Sequence, residues 1–522
     1  MSWWRSGVIY HVYVRSFADS NGDRIGDLRG VIDHLDHLEW LGIDAIWLSP
    51  VMRSPNADWG YDVADYRSVD PALGTLDDFD ELVASAAKRG MHILNDLVPN
   101  HTSDQHDWFL GSRSSRDSAY RDWYVWADPA PDGGPPNNWI SNFMGPAWTL
   151  DESTGQYYLH NFLAEQPDLN WWNPKVRTDF EETLRFWFDR GVAGFRIDVC
   201  HMIIKDAELR DNPAATTDDD MTSRLRGDRQ VYNANRPELH DVLRRWREIA
   251  RGYDDERALI GETFFGDIDL LPSFYGASDD ELHLAFNIAF LLHRFDQGLA
   301  DIVDTVERIF PSHATPAWVG SNHDVSRFPT RWAKGDERKS RLATMMLLTL
   351  RGTAFMYYGD EIGMEDRPFE KSEVLDPVGV KFHPVAGRDP ERTPMQWHAG
   401  EGLGFTDAGV APWLPFGDPS RNVAAQRADS GSILHLTKDL IALRREHESL
   451  RDGSYERVDV SDGVWTYRRG DDVVVALNLS DQVGSSSIRD GSVLVSTSRD
   501  RDGSSFDGSL SPWEGVVLLV TK

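Results

Sequence analysis

The stretch GFRIDV, residues Gly194–Val199, is a short apolar run that ends beside an acidic residue, and seven similar runs are spread along the chain. In chain order these are VIYHVYV (Val8–Val14), AIWLSP (Ala45–Pro50), HILNDLV (His92–Val98), ALIGET (Ala258–Thr263), HLAFNI (His283–Ile288), AWVGSNHD (Ala317–Asp324) and TAFMYYGD (Thr353–Asp360). Such runs are typical of parallel strands buried on both faces. Helical spacing of apolar residues occurs between them, as in Leu28–Leu41, Leu76–Arg89 and Val176–Arg190. Eight strands alternating with helices predict an α/β fold, a closed (β/α)8 TIM barrel.

Two insertions and a different C-terminal pattern accompany the predicted barrel. The connection Asn100–Asn173, after the third strand, is far longer than an ordinary loop and contains seven of the 20 tryptophans, which predicts a packed subdomain. A second insertion, Gly363–Ala424, follows the eighth strand. From Arg451 onward, short alternating stretches separated by DG and GD turns predict an antiparallel β-sandwich domain. We expect the barrel at 1–100 and 174–445, the inserted subdomain at 101–173 and the C-terminal β domain at 446–522.

The composition excludes several classes of function. The formal charge of −31 over 522 residues argues against nucleic acids and anionic membrane surfaces, both of which bind clustered Lys and Arg. Cys200 is the only cysteine, so no disulfide can form within the chain. The N-terminal segment lacks the apolar stretch of a signal peptide, and no run of about 20 apolar residues is present. These features predict a cytoplasmic protein, and the sequence leaves its oligomeric state, monomer or dimer, open.

Acidic residues follow three of the predicted strands: Asp198 in GFRIDV, Glu262 in ALIGET and Asp324 in WVGSNHD. Barrels of this kind form their active sites from residues at the carboxyl ends of different strands. Two carboxylates brought together in this way are the groups that glycoside hydrolysis requires. A single Asp after a strand is more often a helix cap, so the argument depends on the whole set of strand ends.

Several motifs at these strand ends resemble the ordered sequence regions of the α-amylase family, glycoside hydrolase family 13. They are DLVPNHTS, GFRIDV, the Glu262 of GET, SNHD, and QPDLNW (Gln166–Trp171) in the first insertion. QPDLNW and RTPMQW (Arg392–Trp397) are similar to the oligo-1,6-glucosidase and α-glucosidase branch of that family. The resemblance extends over nearly the whole chain, including the inserted subdomain and the terminal β domain.

The resemblance implies a role for each strand-end residue. Asp198 would be the nucleophile of a retaining mechanism and would form a covalent glycosyl-enzyme. Glu262 would protonate the leaving oxygen and then activate water. Asp324 would bind sugar hydroxyls and favour the distorted transition state. Arg196, two residues before the nucleophile on the same strand, projects to the same face and would keep Asp198 ionised. Asp96 and Asn100 would either organise the site or have a purely structural role.

The resemblance also implies a set of substrate-binding residues. His101 and His323 would hydrogen-bond the same glucose. Asp62 and Tyr61, both in GYDVADY, would bind that glucose through a polar contact and a ring contact, respectively. Arg392 would close the pocket around the non-reducing end, and Arg388 is a weaker candidate for that role. The remaining members of the set are Phe143, Phe162, Gln166 and Val199. The two phenylalanines would lie near the entrance, with core packing as the alternative.

Val199, directly after the nucleophile, resembles enzymes of this family that cleave α-1,6 bonds. Cys200-His201 and the segment VSRFPTRW depart from the branch, so the linkage and chain-length preferences stay open. The implied function is a retaining, exo-acting α-glucosidase on short isomalto- or malto-oligosaccharides, with sucrose as a further candidate substrate. The alternative is an α-glucosyltransferase or sugar isomerase that uses sucrose, maltose or trehalose as donor. A non-catalytic relative is disfavoured because the carboxylates are all present.

The loop DSNGDRIGD resembles a calcium-binding loop of the oligo-1,6-glucosidases. Its oxygen ligands would be the side chains of Asp19, Asn21, Asp23 and Asp27 and the backbone carbonyl of Ile25. Hard oxygen ligands favour a structural Ca²⁺, with Mg²⁺ as the alternative ion. The other interpretation is a loop of Asx turns without an ion. No cofactor is expected to take part in catalysis.

Overall fold

The computed structural model describes residues 2–219, 221–253 and 257–520. Its strands are β1 Val8–Val12, β2 Ala45–Leu48, β3 His92–Leu97, β4 Trp126–Ala127, β5 Trp148–Asp151, β6 Gln156–Leu159, β7 Gly194–Ile197, β8 Ala258–Gly261, β9 Leu284–Ala285, β10 Ala317–Val319, β11 Thr353–Tyr357, β12 Tyr455–Ser461, β13 Val464–Arg469, β14 Val473–Asn478, β15 Gly484–Ser485, β16 Ser492–Ser496, β17 Ser509–Leu510 and β18 Gly515–Leu519.

The α-helices lie mainly between the barrel strands. They are α1 Leu28–Asp33, α2 Leu35–Leu41, α3 Leu76–Lys88, α4 Asp107–Arg113, α5 Pro174–Asp189, α6 Met221–Arg226, α7 Leu239–Arg251, α8 Ile288–Leu292, α9 Gly298–Ile309, α10 Phe328–Arg331, α11 Glu337–Thr349, α12 Pro377–Phe382, α13 Val423–Arg427, α14 Ile433–Glu446 and α15 Glu448–Arg451. Helix α5 begins as its sequence predicts: Asn173 caps it, Pro174 occupies the first turn, and Phe180, Leu184 and Trp187 are buried.

Eight parallel strands form the predicted barrel, in the order β10-β11-β1-β2-β3-β7-β8-β9. A parallel bridge between Phe286 and Ala317 joins the two ends and closes the sheet. The predicted (β/α)8 fold is therefore confirmed, and each of the eight apolar runs contains one strand. The strands are shorter than the runs. The sixth, which begins at Leu284, is two residues long.

The strands end at the rim beside the polar residues, where the Asp198 N–H still donates to the Leu97 carbonyl at 2.8 Å and the Glu262 N–H to the Ile197 carbonyl at 2.9 Å. Asp198 and Glu262 each follow the last paired residue of their strand by one position. Inside the barrel, below that rim, Ile9, Trp47 and Leu94 belong to one buried apolar cluster. This filled interior leaves the carboxyl end of the barrel as the place where polar side chains converge.

The first insertion contains a small antiparallel sheet in the order β4-β6-β5. It is tied to the barrel by a buried Lys205, whose Nζ lies 2.9 Å from an Asp168 carboxylate oxygen and donates to the Asn100 Oδ1 at 2.6 Å. Asn100 also donates to Asp168 at 3.2 Å. These contacts fix the insertion directly above the carboxyl end of β3.

Antiparallel sheets at the C-terminus complete the predicted fold. One has five strands in the order β12-β13-β14-β18-β16, and the other pairs β15 with β17. Trp465 and Tyr467 of β13 belong to the large buried cluster that also includes Leu342 and Met345 of α11. The C-terminal sheets are thus packed against the barrel helices. The exact domain boundaries at 100, 173 and 445 stay predictions.

Candidate active site

Arg196 is the centre of the site and is completely buried. Its Nη1 donates to the Asp198 carboxylate at 2.8 Å and to both carboxylate oxygens of Asp96 at 3.0 Å. Its Nη2 lies 2.7 Å from the Glu262 Oε2. The indole of Trp47 and the hydroxyl of Tyr61 also donate to Asp96, at 3.2 and 3.0 Å. One guanidinium therefore gathers the carboxyl groups that follow β7 and β8 and the one within β3.

Three carboxyl groups share the single positive charge of Arg196, so they cannot all ionise without a net negative charge in a buried place. Burial raises the pKa of Asp96 to about 7, against the pull of Arg196. Burial, together with the Asp324 charge, also raises the pKa of Glu262. Burial raises the pKa of Asp198, and its bond to Arg196 opposes that rise. Because the three acids share one cation, the charge of each changes the pKa of the others, which suits a site that needs one acid and one carboxylate.

The backbone after Asp198 holds Glu262 in place. Val199 has a left-handed conformation (φ 32°, ψ 46°), which is strained for a β-branched residue. In this conformation its N–H donates to the Glu262 Oε2 at 2.9 Å. The next N–H, of Cys200, donates to the Glu262 carbonyl at 3.1 Å. The turn after β7 therefore positions the carboxyl group that follows β8.

Asp324 lies at the rim between two arginines. Its Oδ1 accepts from Arg388 at 3.1 Å and from Arg392 at 3.0 Å, and its other oxygen lies 3.1 Å from the His323 Nε2. Burial would raise the pKa of Asp324, but the two guanidinium groups lower it below its ordinary value. Its side chain remains 24% exposed, the most of any acid in the site. Asp324 is therefore an ionised carboxylate that a ligand can reach.

Arg388, the weaker of the two arginine candidates in the sequence, makes several contacts at the site. Besides Asp324, it donates to Asp58 at 2.5 Å and to Asp376 at 2.6 and 2.9 Å, and its guanidinium lies over the Phe143 ring at 5.1 Å. It thus joins the barrel loop after β2 to the second insertion. The signal available in the sequence was the pair of arginines in GRDPERTPMQW, four positions apart.

Asp62, a predicted substrate-binding residue, is hydrogen-bonded within its own loop. It is completely buried, and its carboxylate accepts hydrogen bonds from the Ser54 hydroxyl at 2.8 Å and from the backbone N–H groups of Ala57 and Asp58 at 2.9 Å. Burial raises its pKa to about 6. In this arrangement Asp62 stabilises the loop, and Asp58 is the acid that meets Arg388. A grip of Asp62 on substrate stays a prediction.

The remaining predicted residues surround the three carboxylates. His323 is stacked on Tyr61 with ring centroids 5.1 Å apart, and burial lowers the pKa of His323 well below its ordinary value, so the ring is neutral. The pKa of His101 is about 4, again because of burial. The Nε2 of Gln166 lies 3.1 Å from the His101 ring and donates to Asp58 at 3.2 Å.

Two phenylalanines of the first insertion meet edge to face beside the site. The rings of Phe143 and Phe162 are 5.5 Å apart at 76°, and Phe162 lies 5.2 Å from His101. Phe162 also packs against a small buried cluster of Val199, Met202 and Ala234. Both rings are partly exposed. Both rings therefore pack locally and remain partly open to solvent, and their place near the site entrance stays a prediction.

The predicted calcium loop is held by its own hydrogen bonds. Asp19 accepts from the N–H groups of Gly22 and Arg24, both at 2.8 Å. Asp27 caps α1 through the Gly30 N–H at 2.7 Å. Among the residues that the structure describes, no group of three or more His, Cys, Asp or Glu is placed to hold a metal ion. Calcium binding at this loop stays a prediction.

No helix in the described ranges combines the length and the apolar character that crossing a membrane would require.

Comparison with known proteins agrees with this architecture. The α-amylase catalytic domain model matches residues 11–453. A probable α-glucosidase of Rhizobium meliloti (strain 1021) is 41% identical over 498 residues, 92% of this chain and 90% of that protein. An oligo-1,6-glucosidase of Heyndrickxia coagulans is 38% identical over 530 residues, 92% of each chain. The crystal structure of an α-glucosyl transfer enzyme, XgtA, has a TM-score of 0.93 at 37% identity and covers 100% of both chains.

An eight-stranded barrel with carboxyl groups gathered at the ends of its strands is an arrangement that glycoside hydrolases use, and the comparisons assign the chain to that class. The chain belongs to the α-amylase family, glycoside hydrolase family 13, and its most similar relatives include α-glucosidases and oligo-1,6-glucosidases.

Proposed function

We propose that the protein is a retaining, exo-acting α-glucosidase that removes glucose from the non-reducing ends of short α-glucosides. The observation that carries the proposal is that Asp198 and Glu262 contact the same guanidinium, that of Arg196, at 2.8 and 2.7 Å. Sharing one cation favours the short carboxyl separation of retaining enzymes, about 5–5.5 Å, over the wider separation that accommodates a water in inverting enzymes.

The reaction then takes two steps at these side chains. The Asp198 carboxylate attacks the anomeric carbon, the bond to the leaving oxygen breaks, and Glu262 gives its proton to that oxygen. Burial raises the pKa of Glu262, which favours the protonated form that an acid needs. In the second step the Glu262 carboxylate takes a proton from water, whose oxygen attacks the same carbon and releases Asp198. Asp324 binds hydroxyls of the distorted sugar.

The exo mode is supported by what surrounds Asp324. Arg388 and Arg392 from the second insertion and the phenylalanine pair from the first insertion converge on one side of the carboxylates. These contacts favour a closed pocket for a terminal sugar over an open cleft. Isomalto- and malto-oligosaccharides are the substrates that we propose, with sucrose as a further candidate. Val199 and the name of the oligo-1,6-glucosidase relative favour α-1,6 bonds.

The mechanism can be tested by chemical rescue. We expect Asp198→Ala and Glu262→Ala to lose activity by several orders of magnitude and to melt as folded proteins. Sodium azide should restore cleavage of the substrate by each variant, and the glucosyl azides that the two variants form should have opposite anomeric configurations. With Asp198 absent, azide attacks the substrate directly and gives a β-glucosyl azide. With Glu262 absent, azide attacks the glycosyl-enzyme and gives an α-glucosyl azide. Proton NMR distinguishes the two products, and unimpaired hydrolysis by either variant would refute the assignment.

The bond preference can be tested with a substrate panel. Isomaltose, maltose, nigerose, trehalose and sucrose are incubated with the enzyme, and both glucose and new disaccharides are measured. Freshly released α-glucose from an α-linked substrate supports retention, whereas β-glucose contradicts it. Formation of shorter oligosaccharides from a long α-glucan, without release of terminal glucose, would contradict the exo mode.

An α-glucosyltransferase or a sugar isomerase is the second candidate function, because of the likeness to an α-glucosyl transfer enzyme over both whole chains. The same residues would form the glycosyl-enzyme, and a sugar or another hydroxyl compound would replace water as the acceptor. The two functions separate in the panel: a transferase or isomerase accumulates new glucosides from maltose, sucrose or trehalose at low conversion, and a hydrolase releases glucose.

We also infer a cytoplasmic location and a monomer or dimer. A single cysteine, buried at position 200, is compatible with a reducing compartment. Cell fractionation and the mass in solution by light scattering would test these two statements.

A further inference from the structure

A polar cavity of about 500 Å³ opens on the surface away from the three catalytic carboxylates. Its wall is formed by the loop after β2, by the start of α4 and by Asp179 of α5. The residues that matter for its chemistry are Arg53, Asp65, Arg67, Gln105, Asp107 and Trp108. Its volume is in the range of small-molecule sites, about 300–1,000 Å³, and would accommodate a disaccharide.

The cavity contains polar groups that have no partner within the protein. In the described ranges, the guanidinium of Arg53, the amide of Gln105 and the carboxylate of Asp107 form no side-chain hydrogen bond or ion pair, and all three residues are exposed. By contrast, Arg67 is already paired with Asp179 at 2.8 Å. Free donors and free acceptors therefore face the same space.

The charge and the aromatic ring restrict the class of ligand. Counting Arg53 and Arg67 against Asp65, Asp107 and Asp179 leaves one excess negative charge, which disfavours an anion. The lining is too polar for an apolar ligand. Trp108 is partly exposed and its ring is held between Trp123 at 4.6 Å and Tyr66 at 5.9 Å. A rigid, partly exposed indole beside an uncommitted Arg and Asp suits a neutral polyol, whose C–H groups contact the exposed part of the indole and whose hydroxyls both donate and accept.

We propose that this cavity is a second binding site for a neutral oligosaccharide. It shares a loop with the catalytic pocket. Ser54 lines the cavity and its hydroxyl donates to Asp62 at 2.8 Å, and the hydroxyl of Tyr66, on the opposite wall, donates to the carbonyl of His101 at 2.7 Å. A sugar bound here therefore contacts the segment that carries Tyr61 and would hold substrate near the entrance loop.

The test is calorimetric titration of the inactive Asp198→Ala protein with maltotriose and, separately, isomaltotriose. Two classes of site are expected. Adding Arg53→Ala and Asp107→Ala should weaken the second class about 10-fold, since one charge-assisted hydrogen bond is removed on each side of the sugar. The matched control is Lys175→Ala with Glu152→Ala, an exposed pair that preserves the net charge in the same way and should leave both classes unchanged.

A one-site isotherm, or a second class that survives Arg53→Ala with Asp107→Ala, would overturn the proposal. So would binding of inorganic phosphate that competes with the trisaccharide, because it would identify an anion site. In the active protein the same double substitution should leave kcat unchanged. Residual hydrolysis by Asp198→Ala would instead contradict the proposed function, so the two failures are distinguishable. Trp108→Phe, which retains a ring for local packing, should weaken the second class without lowering the melting temperature by more than the control.

Discussion

Replacing Arg196 by Met should destabilise the protein in a way that depends strongly on pH. The substitution keeps a similar length of side chain but leaves Asp96, Asp198 and Glu262 without their shared cation. Removing one partner of a buried ion pair costs about 3–5 kcal/mol. For a chain of 522 residues that unfolds cooperatively, the entropy of unfolding is about 1.1 kcal/mol per degree, so the melting temperature should fall by roughly 3–5 °C.

The sign of the pH dependence follows from the raised pKa values. A carboxyl group with a higher pKa in the folded than in the unfolded protein binds protons preferentially when folded, so stability falls as pH rises through that interval. For Asp96 the interval runs from its ordinary value, about 4, to about 7. Without Arg196 these pKa values rise further. We therefore expect the full loss at pH 8 and a smaller loss at pH 5, which lies below the pKa of Asp96, so that this carboxyl group keeps its proton.

Thermal melting at pH 5, 6.5 and 8 is the assay, with Arg190→Met as the control. Arg190 forms an equally short ion pair with Asp80, 2.6 Å, but both side chains are substantially exposed. Such pairs contribute about 0–1 kcal/mol. The reasoning would be refuted if Arg196→Met lowered the melting temperature equally at pH 5 and pH 8, or by no more than Arg190→Met.

Three further predictions concern the pocket and the loop. Arg388→Ala removes one of the two cations at Asp324, so the pKa of Asp324 should rise. We expect kcat/KM to fall by at least ~30-fold and the acidic limb of its pH profile to move to higher pH. An unchanged pH profile would contradict this prediction. Val199→Thr adds a hydroxyl to the apolar cluster at Phe162 and should reduce the ratio of kcat/KM for isomaltose over maltose about 10-fold, which an unchanged ratio would contradict. We also propose that calcium binds at the loop of Asp23: at 100 times its dissociation constant it would add about 2.7 kcal/mol and raise the melting temperature by roughly 2–3 °C over the chelator-treated protein. Asp23→Ala should abolish that shift, and a melting temperature indifferent to calcium would contradict the site.

The barrel could be predicted because its strands are apolar on both faces, a pattern that local sequence reveals directly. The ends of the strands could not. The run through Val199 continues past the paired residues, since a β-branched residue in a turn looks the same as one in a strand. In the structure Val199 has a left-handed conformation that only the surrounding contacts can enforce.

The identities of the site carboxylates were also accessible, because Asp198, Glu262 and Asp324 follow recognisable strands. The partners of these carboxylates could not be predicted from the sequence. The sequence favoured Arg392 over Arg388, and no local pattern distinguishes the two arginines, while Asp58 carried no signal at all. Arg388 contacts Asp324, 64 positions earlier, and Asp58, 330 positions earlier. Asp62 instead accepts hydrogen bonds from its own loop.

By itself, therefore, the sequence determined the class of fold and the carboxyl groups at its rim, since burial pattern and residue type are local properties of the chain. The tertiary structure alone decided that three acids share the one charge of Arg196, that Arg388 joins Arg392 at Asp324, and that a separate polar cavity lies behind the loop of Asp62. Those facts depend on distances between segments that are far apart along the chain, and the pKa values follow from the burial and the charges that such contacts create.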